Sequence, residues 1–295
     1  MLTFHYQQLD VFPASHGGGG NPLGVVIGAQ DFTAEDMQRF AAWTNLVETT
    51  FLLPPEDERA SYRVRIFTPT KEIAFAGHPS IGSAHAALDT RFAKPVDGRI
   101  VQQCGAGLLP IRIEGLHERR ELFVQAPRAS DVTNEARGAE CLRKALGNRP
   151  LGALPPALIN GGRRWWVAEF VDEHAVRAWK PDHAAIGELA KIDDCLGLCV
   201  FARCARSNYQ LVVRAFPAGV GIVEDPASGA ANGLIAAWIA MREPEGALAH
   251  GYRVSQGREM GHDAAISLRI DNDGMVWVGG RTHTVTDRTL TWGID

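Results

Sequence analysis

Short stretches of alternating hydrophobic and polar residues recur along the chain, a pattern typical of half-buried β-strands. Turn-forming Gly, Pro, Asn and Asp residues separate these stretches. The pattern predicts strands at 3–12, 23–27, 45–52, 62–68, 71–75, 99–104, 109–113, 121–125, 157–160, 165–171, 196–202, 209–216, 251–256, 264–270, 275–280 and 284–292. The chain is therefore expected to be rich in strands.

Helical periodicity occurs in only a few places. Thr33 and Asp36 resemble a capping box that opens a helix ending near Trp43. Two helices rich in Ala and Gly are predicted, and Asp225 is placed on the N-cap of the second with Pro226 at its first helical position. The predicted helices span about 33–43, 79–88, 134–146, 173–190 and 226–241.

The two small-residue helices open on related sequences. The first copy reads His78-Pro79-Ser80-Ile81-Gly82-Ser83-Ala84 and the second Asp225-Pro226-Ala227-Ser228-Gly229-Ala230-Ala231, about half the chain apart. Each copy follows a related strand and turn, Arg65-Ile66-Phe67-Thr68-Pro69 or Arg214-Ala215-Phe216-Pro217-Ala218. A repeat this long predicts two similar lobes rather than a solenoid.

The expected fold class is therefore α+β, with two pseudo-symmetric lobes. Each lobe is expected to be a barrel-like β-sheet wrapped around a central helix. The first lobe is placed at residues 1–117, completed by a C-terminal strand at about 284–295, and the second at 118–283.

Composition and charge limit the possible functions. The chain of 295 residues is 45% hydrophobic and 22% charged, as in globular proteins, and its net charge of −4 comes without a basic run. Nucleic-acid binding is therefore not expected. No apolar stretch is long enough to span a bilayer, and no signal peptide is recognised at the N-terminus, so we expect no membrane association and a cytoplasmic location.

The five cysteines are odd in number and are expected to be free thiols. Cys195, Cys199 and Cys204 lack a CxxC pair or a nearby His, so no metal site is predicted. Cys199 lies in an apolar strand and is expected to pack in the core. The run Gly17 to Gly20 lacks the Lys-Ser/Thr ending of a phosphate-binding loop and is interpreted as a flexible loop.

Three polar residues stand where they need an explanation. Glu48 opens a predicted strand beside Val47, an unfavourable place for a carboxylate unless it has a partner or faces a polar cleft. The alternative is an exposed Glu at a strand end. His78 and Asp225 open the two repeated helices, whose first-turn N–H groups favour an anion. Asp225 as a helix cap alone is the competing interpretation.

Six motifs in this order carry a resemblance to a known family. They are Gly20-Asn21-Pro22-Leu23, Asn45-Leu46-Val47-Glu48-Thr49, Arg65-Ile66-Phe67-Thr68-Pro69, Phe75-Ala76-Gly77-His78-Pro79, Glu224-Asp225-Pro226-Ala227-Ser228-Gly229 and Gln256-Gly257-Arg258-Glu259-Met260-Gly261. The chain resembles the phenazine-biosynthesis PhzF-like family, which is related to diaminopimelate epimerase.

The resemblance implies two lobes with a cleft between them, a homodimer and no cofactor. It also implies that Glu48 is the main general acid/base, with His78 and Asp225 beside it. Asn21, Gly77, Ser228 and Gly229 are the expected substrate-binding residues, since N–H groups at the two helix starts can hold a substrate carboxylate.

The chain departs from the family pattern at Ala230, where the family often has a hydroxyl that belongs to a polar relay. The four-glycine insertion before Asn21 is also longer than is typical. Epimerases of this fold use two cysteines at the helix starts, where this chain has His78 and Asp225. A two-thiol racemase is therefore disfavoured.

Three hypotheses follow. The first is a cofactor-independent isomerase that moves a proton on a small carboxylate-bearing metabolite. The second is an amino-acid racemase or epimerase that uses Glu48 and Asp225 as opposed bases. The third is a non-catalytic binding protein on the same fold, which the joint presence of Glu48, His78 and Asp225 disfavours.

Overall fold

The computed structural model describes residues 1–15, 17–116, 119–206 and 208–293. It divides into two compact units. The first unit comprises Met1–Gln125 and Gly279–Asp295, and the second comprises Ala126–Val278. The boundary expected between residues 117 and 118 falls on residues outside the described ranges. The strand at 121–125, assigned to the second lobe from sequence, pairs with its predecessor in the first unit.

The first unit is a mixed sheet with two helices. Its strands are β1 (Leu2–Val11), β2 (Asn21–Ile27), β3 (Glu48–Leu53), β4 (Tyr62–Phe67), β5 (Glu72–Ile73), β6 (Arg99–Cys104), β7 (Gly107–Glu114), β8 (Glu121–Gln125) and the C-terminal β17 (Thr282–Trp292), and its helices are α1 (Ala34–Thr44) and α2 (Gly77–Asp89). The pairs β2–β3 and β4–β6 are parallel. The pairs β17–β1, β1–β2, β3–β4, β6–β7 and β7–β8 are antiparallel.

The second unit contains the remaining elements. Its strands are β9 (Ser130–Asp131), β10 (Ala157–Asn160), β11 (Arg164–Glu169), β12 (Leu198–Arg203), β13 (Leu211–Phe216), β14 (Gly251–Gln256), β15 (Ala264–Ile270) and most of β16 (Val276–Gly280), and its helices are α3 (Ala139–Leu146), α4 (Glu173–Arg177), α5 (His183–Ile192) and α6 (Gly229–Arg242). Short 3-10 helices lie at Thr133–Glu135, Ala218–Val220 and Arg258–Met260. The expected mixture of many strands and few helices is confirmed.

The same order of strand pairing occurs in both units. The succession β1, β2, β3, β4, β6, β7 pairs as antiparallel, parallel, antiparallel, parallel, antiparallel. The succession β10, β11, β12, β13, β14, β15 repeats this order. In each unit a helix provides the second parallel connection, α2 between β4 and β6 and α6 between β13 and β14. A parallel pair needs such a crossover, so the sequence repeat is also a repeat of topology.

Helix α2 packs against most strands of the first unit. Its residues from His78 through Ala87 are all buried, and the helix contacts β1, β2, β3, β4, β6, β8 and β17. The many Ala, Gly and Ser residues of α2 let the strands approach it closely. Gly82 marks the tightest approach: a Cβ there would overlap Leu23 and lie 3.0 Å from Cγ2 of Val11.

Helix α1 packs on the other side of the strands, over a cluster of aromatic rings. Phe40 is 1% exposed and makes edge-on contacts with Phe4, Tyr6 and Phe51. The predicted capping box is confirmed, since Asp36 N–H donates to Thr33 Oγ1 at 3.1 Å and Thr33 N–H donates to Asp36 Oδ2 at 3.2 Å. This cap sets where α1 begins.

In the second unit α3, α4 and α5 pack over β10–β13, and the buried core there includes Trp166, Phe170, Trp179 and Phe216. The helical stretches predicted near 173–190 are two helices, α4 and α5, separated by an irregular segment that contains Pro181. Pro is poorly accommodated within a helix, which accounts for the break.

All five cysteines are free thiols, as predicted. Cys199 lies in β12 and is fully buried. Burial raises the pKa of the Cys195 thiol to about 11, so it stays protonated at neutral pH. No helix among the described residues is long and apolar enough to cross a bilayer.

Candidate functional site

Glu48 is the first residue of β3, directly after the turn that follows α1. That turn is made by Asn45, which caps α1 in the left-handed conformation at φ 53°. The Glu48 side chain is 12% exposed. It is therefore a mostly buried carboxyl group rather than an exposed Glu at a strand end.

His78 is the partner of Glu48 in the first unit. It is the second residue of α2, its side chain is 8% exposed, and its Nε2 lies 3.3 Å from Oε2 of Glu48. A ring N–H of His78 donates to the backbone carbonyl of Pro22 at the start of β2. The imidazole is thus fixed between β2 and β3.

The charge of His78 determines the nature of this contact. Burial lowers the pKa of His78 to about 3, and the hydrogen bond to Pro22 opposes this only in part. The imidazole is therefore neutral at neutral pH, and its contact with Glu48 is not a salt bridge between two full charges. Because the other ring nitrogen donates to Pro22, Nε2 keeps its lone pair. Nε2 can therefore accept a hydrogen bond from the O–H group of a protonated Glu48.

A buried polar network fixes the start of α2 behind this pair. Tyr62 OH donates to Gln102 Oε1 at 2.9 Å, and Gln102 Nε2 donates to Ser80 Oγ at 2.9 Å. Ser80 Oγ–H in turn donates to the Ala76 carbonyl at 2.9 Å. The first turn of α2 is therefore anchored to β4 and β6, which limits the positions His78 can take.

The four-glycine run is bound to a carboxylate of its own chain. Asp10 is 4% exposed, and its Oδ2 accepts from the N–H groups of Gly18 at 2.5 Å and Gly19 at 3.0 Å. A side chain at Gly20 would collide with the Val11 carbonyl and the Asp10 carboxylate. The interpretation of this run as a flexible loop is wrong for Gly18 and Gly19, because Asp10 binds their backbone amides.

Asn21 and Gly77 directly precede Pro22 and His78, which are joined by a hydrogen bond. Asn21 is the first residue of β2, is 1% exposed, and directly precedes Pro22. Gly77 is the first residue of α2, and the Ala76 N-cap provides no side-chain hydrogen bond. The first amides of α2 thus lack a side-chain cap, a condition that favours an anion at this helix start.

Asp225 lies in the second unit, and its predicted place on the helix N-cap is wrong. Helix α6 begins at Gly229, and its N-cap is Ser228, whose Oγ accepts from Ala231 N–H at 3.3 Å. Asp225 instead bridges to β13, with its N–H donating to the Ala215 carbonyl at 2.9 Å. Its Oδ1 accepts from Ala227 N–H at 3.1 Å, the local turn that Asp forms readily.

Burial raises the pKa of the Asp225 carboxyl. The nearby Glu224 charge acts in the same direction, while the Ala227 amide, the Ser228 hydroxyl and His262 lower it. A carboxyl with a raised pKa is closer to the proton-exchange range near neutral pH. Asp225 is therefore suited to carry a proton, not only to accept a local hydrogen bond.

Ser228, Gly229 and Ala230 have different environments at the start of α6. The Ser228 N–H donates to Gln256 Oε1 at 3.3 Å, so this amide is used within the unit. Gly229 is the first helical residue. Ala230, where the family often has a hydroxyl, is exposed at the second helical position. The hydroxyl that does reach Asp225 belongs to Ser228.

Sequence reasoning missed two supporting residues of the second unit. Gln256 Nε2 donates to the Asp225 carbonyl at 2.7 Å, and Arg214 binds Glu224 through two hydrogen bonds of 2.8 and 2.9 Å. Gln256 stands in a motif quoted for the resemblance and Arg214 in the repeated strand and turn, so a signal existed for the position of each. Their partners depend on the fold and could not be read from the motifs.

In the first unit the structure thus brings His78 together with Glu48 and Pro22, and Asn21 and Gly77 are their neighbours in sequence. Asp225, Ser228 and Gly229 come together in the second. Among the described residues, no group of three or more His, Cys, Asp or Glu side chains is arranged to hold a metal ion.

Comparison with known proteins gives consistent results across the chain. A family model described as "Phenazine biosynthesis-like protein" (PhzC-PhzF) matches residues 9–288. The chain is 30% identical over 292 residues to "Antisense-enhancing sequence 1" of Schizosaccharomyces pombe, covering 96% of this chain and 97% of that protein. It is also 30% identical over 271 residues to the trans-2,3-dihydro-3-hydroxyanthranilate isomerase of Pseudomonas aeruginosa, covering 91% of each.

A solved structure is similar over the whole chain. The phenazine biosynthesis protein of the PhzF family from Bacillus anthracis superposes with a TM-score of 0.84 at 23% identity, covering 99% of this chain and 100% of that one. At this identity the likeness establishes the fold alone.

Proposed function

Because the chain belongs to the phenazine biosynthesis-like (PhzF) family, a family of enzymes with relatives named isomerases, we propose that this isomerase moves a proton on a small carboxylate-bearing metabolite. Glu48 is the proposed general acid/base. The observation that carries the proposal is the 3.3 Å contact between Glu48 and His78, both mostly buried.

The chemistry follows from that contact. Glu48 takes a proton from a carbon of the substrate, the electron pair is delocalised towards an acceptor group, and the proton returns at a different carbon. The reaction is redox-neutral and its atoms balance. A neutral His78 suits this role, since it can accept a hydrogen bond from the protonated Glu48 without trapping Glu48 as a permanent carboxylate in an ion pair.

The substrate carboxylate is proposed to bind at the uncapped first turn of α2, where Gly77 and His78 contribute backbone N–H groups. Asn21 adjoins this turn through its neighbour Pro22. We also propose that Asp225, with Ser228 and Gly229 beside it, takes part in the reaction. The raised pKa of Asp225 supports that role.

Two further features belong to this proposal. Each unit is proposed to be a barrel-like lobe around its central helix, which the contacts of α2 with seven strands support for the first unit. The enzyme is proposed to act as a homodimer without a cofactor, as the family resemblance implies. Sedimentation analysis of the purified protein measures the oligomeric state.

The test of the proposed reaction uses deuterium oxide and trans-2,3-dihydro-3-hydroxyanthranilate, the compound in the relative's name. The wild-type protein is expected to incorporate deuterium at a carbon of the product, as detected by NMR. Glu48→Gln is expected to slow this by about 10²–10⁴-fold, because the amide has the same shape but cannot carry the proton. Glu58→Gln, at an exposed carboxylate of the same unit, is the matched control.

Each outcome of this test has a defined meaning. A Glu48→Gln protein as active as Glu58→Gln would remove Glu48 from the mechanism. If the compound is not converted, a panel of small carboxylic acids is screened for deuterium exchange in the same way. Exchange at the original carbon of an amino acid, with loss of optical rotation, would indicate the racemase alternative instead.

A further inference from the structure

Arg214 is the most enclosed guanidinium group of the repeated motifs. It lies in β13, its side chain is 6% exposed, and it stacks over the Phe216 ring at 5.1 Å. Its Nε and Nη2 hold the two carboxylate oxygens of Glu224 at 2.8 and 2.9 Å, a paired geometry that fixes the carboxylate in orientation as well as position. Glu224 is the residue directly before Asp225.

The remaining donor group of Arg214 binds the backbone. Its Nη1 donates to the carbonyls of Trp179 at 2.6 Å and Val176 at 3.3 Å, at the end of α4 and in the turn after it. Arg214 therefore joins three segments of the second unit: β13, the end of α4, and the segment that leads to Asp225.

The first unit contains the same motif in a different environment. Arg65 stacks over Phe67 at 5.2 Å and holds Glu72 at 2.8 and 2.7 Å. The side chains of Arg65 and Glu72 are 26% and 43% exposed, whereas those of Arg214 and Glu224 are 6% and 10% exposed. A buried ion pair is expensive to desolvate and is often no more stabilising than apolar residues of the same size. Burial of the Arg214–Glu224 pair is thus better explained by a need to hold these side chains in fixed positions than by a gain in stability.

Asp225 is also held by hydrogen bonds through its backbone and its carboxyl group. Its N–H donates to Ala215, its carbonyl accepts from Gln256, and its carboxyl group binds the Ala227 amide and the Ser228 hydroxyl. The charged or titratable side chains that act on it within the second unit are Glu224 and His262. Of these, Glu224 is the one that Arg214 binds directly.

We propose that Arg214 is a positioning residue for Asp225, acting through Glu224. Its guanidinium fixes the Glu224 side chain, and with it the backbone that aims the Asp225 carboxyl group. It also balances the Glu224 charge beside that carboxyl. The inference rests on the proposed role of Asp225 in the reaction and adds the residue that sets its geometry and electrostatic environment.

The test measures the pKa of Asp225 by carbon-13 NMR of aspartate-labelled protein, with Asp225→Asn used to assign the signal. Arg214→Met leaves the Glu224 carboxylate unbalanced, so the Asp225 pKa should rise. Glu224→Gln removes the negative charge, so the Asp225 pKa should fall. The exposed pair supplies the matched controls, Arg65→Met and Glu72→Gln, which should leave the Asp225 pKa unchanged.

Opposite shifts from the two partners are the expected result, and general loosening of the fold would not produce them. Arg214→Lys separates charge from geometry, because Lys keeps the charge but cannot hold both carboxylate oxygens. It should leave the Asp225 pKa close to wild type. Its kcat on trans-2,3-dihydro-3-hydroxyanthranilate should fall by about 10²-fold with little change in KM, the cost of a misplaced catalytic group.

The inference and the proposed function fail in different ways. Equal titration of Asp225 in wild type, Arg214→Lys and Glu224→Gln, with normal kcat, would overturn the positioning role even if Arg214→Met does not fold. If Asp225→Asn is as active as wild type, the proposed part of Asp225 in the reaction fails instead. An inactive Asp225→Asn beside a fully active Arg214→Lys and Glu224→Gln would leave the proposed function standing and overturn only this inference.

Discussion

Nε2 of His78 and Oε2 of Glu48 lie 3.3 Å apart in a region where burial keeps the imidazole neutral. The backbone carbonyl of Pro22 binds the other side of the ring. Glu48 therefore faces a lone pair rather than a cation. The contact is therefore one with a neutral ring and does not lock Glu48 in its charged form, as the proposed general acid/base role requires.

The buried His78 should make stability depend on pH. Its pKa is about 3 in the folded protein and near 6.5 when unfolded, so between these values only the unfolded state binds the proton. The free energy of unfolding should then fall as pH decreases below about 6.5, by about 1.4 kcal/mol per pH unit for this group, and be constant above it. Urea unfolding of wild type and His78→Gln at pH 5.5 and 7.5 measures the difference.

His250 is exposed and provides the control for this pH dependence. His250→Gln should keep the wild-type slope, whereas His78→Gln should reduce it. Parallel loss of stability in wild type and His78→Gln would show that the pKa of His78 is the same in the folded and unfolded states.

Ser228, not Asp225, is the N-cap of α6, so substitutions at these two residues should affect stability and activity separately. Ser228→Ala should destabilise the protein by about 1 kcal/mol, because Ser228 caps the helix. Asp225→Asn should change stability less, since the amide oxygen can still accept from Ala227 N–H, but should abolish turnover. Denaturant unfolding and specific activity are measured on the same preparations.

Thr33→Ala is the matched control for the capping effect. Thr33 caps α1 in the same way as Ser228 caps α6, so its loss should cost a similar amount of stability. Activity per folded molecule should stay normal in Thr33→Ala. A stability loss in Asp225→Asn larger than that in Ser228→Ala would mean that Asp225 is mainly structural.

Gly82 should not tolerate even one added carbon. A Cβ there would overlap Leu23 and crowd Val11, so Gly82→Ala should cost about 1–3 kcal/mol and displace α2 with His78. Gly187 in α5 has no atom within 4 Å of the same position, and Gly187→Ala should stabilise by up to about 1 kcal/mol. Thermal unfolding of both variants compares them, and equal effects would refute tight packing at Gly82.

Removal of the Asp10 carboxylate should release the glycine segment. Asp10→Ala should lower the free energy of unfolding by about 1.5–3 kcal/mol for each hydrogen bond from Gly18 or Gly19 to the carboxylate that water does not replace. Hydrogen exchange at these two amides should become fast.

Asp193, which is 2% exposed and binds the amides of Arg137 and Gly138, is the comparable carboxylate of the second unit. Asp193→Ala should destabilise the protein without changing exchange at the glycines. Slow exchange at Gly18 and Gly19 in Asp10→Ala would contradict the proposed anchoring.

Local rules identified those parts of the fold whose cause lies within a few residues. Thr33 and Asp36 predicted the start of α1 because a capping box is closed by three consecutive peptide units. The strand limits 99–104, 121–125, 157–160, 251–256 and 264–270 agree with the structure for the same reason, since alternation is local. The repeat around His78 and Asp225 predicted two similar lobes, and the strands of the two units pair in the same order.

The start of α6 shows where such rules stop. Asp225-Pro226 has the composition of a helix start, yet Gln256 and Ala215 hold Asp225 in an extended bridge, and the helix begins only at Gly229. Both partners are distant in sequence or lie on another strand. The same holds for the Pro22 carbonyl on His78 and for the Asp10 carboxylate in the glycine run. These contacts depend on tertiary structure, which periodicity does not encode.

The Asp10 carboxylate within the glycine segment also bears on the thermodynamics of ligand binding. Ordering a free glycine-rich segment costs more conformational entropy than ordering any other sequence. Here Gly18 and Gly19 are already ordered by Asp10, and they continue into Pro22, which binds His78. For the proposed binding of a substrate beside His78, this order means that little of the entropic penalty of closing a flexible loop is added.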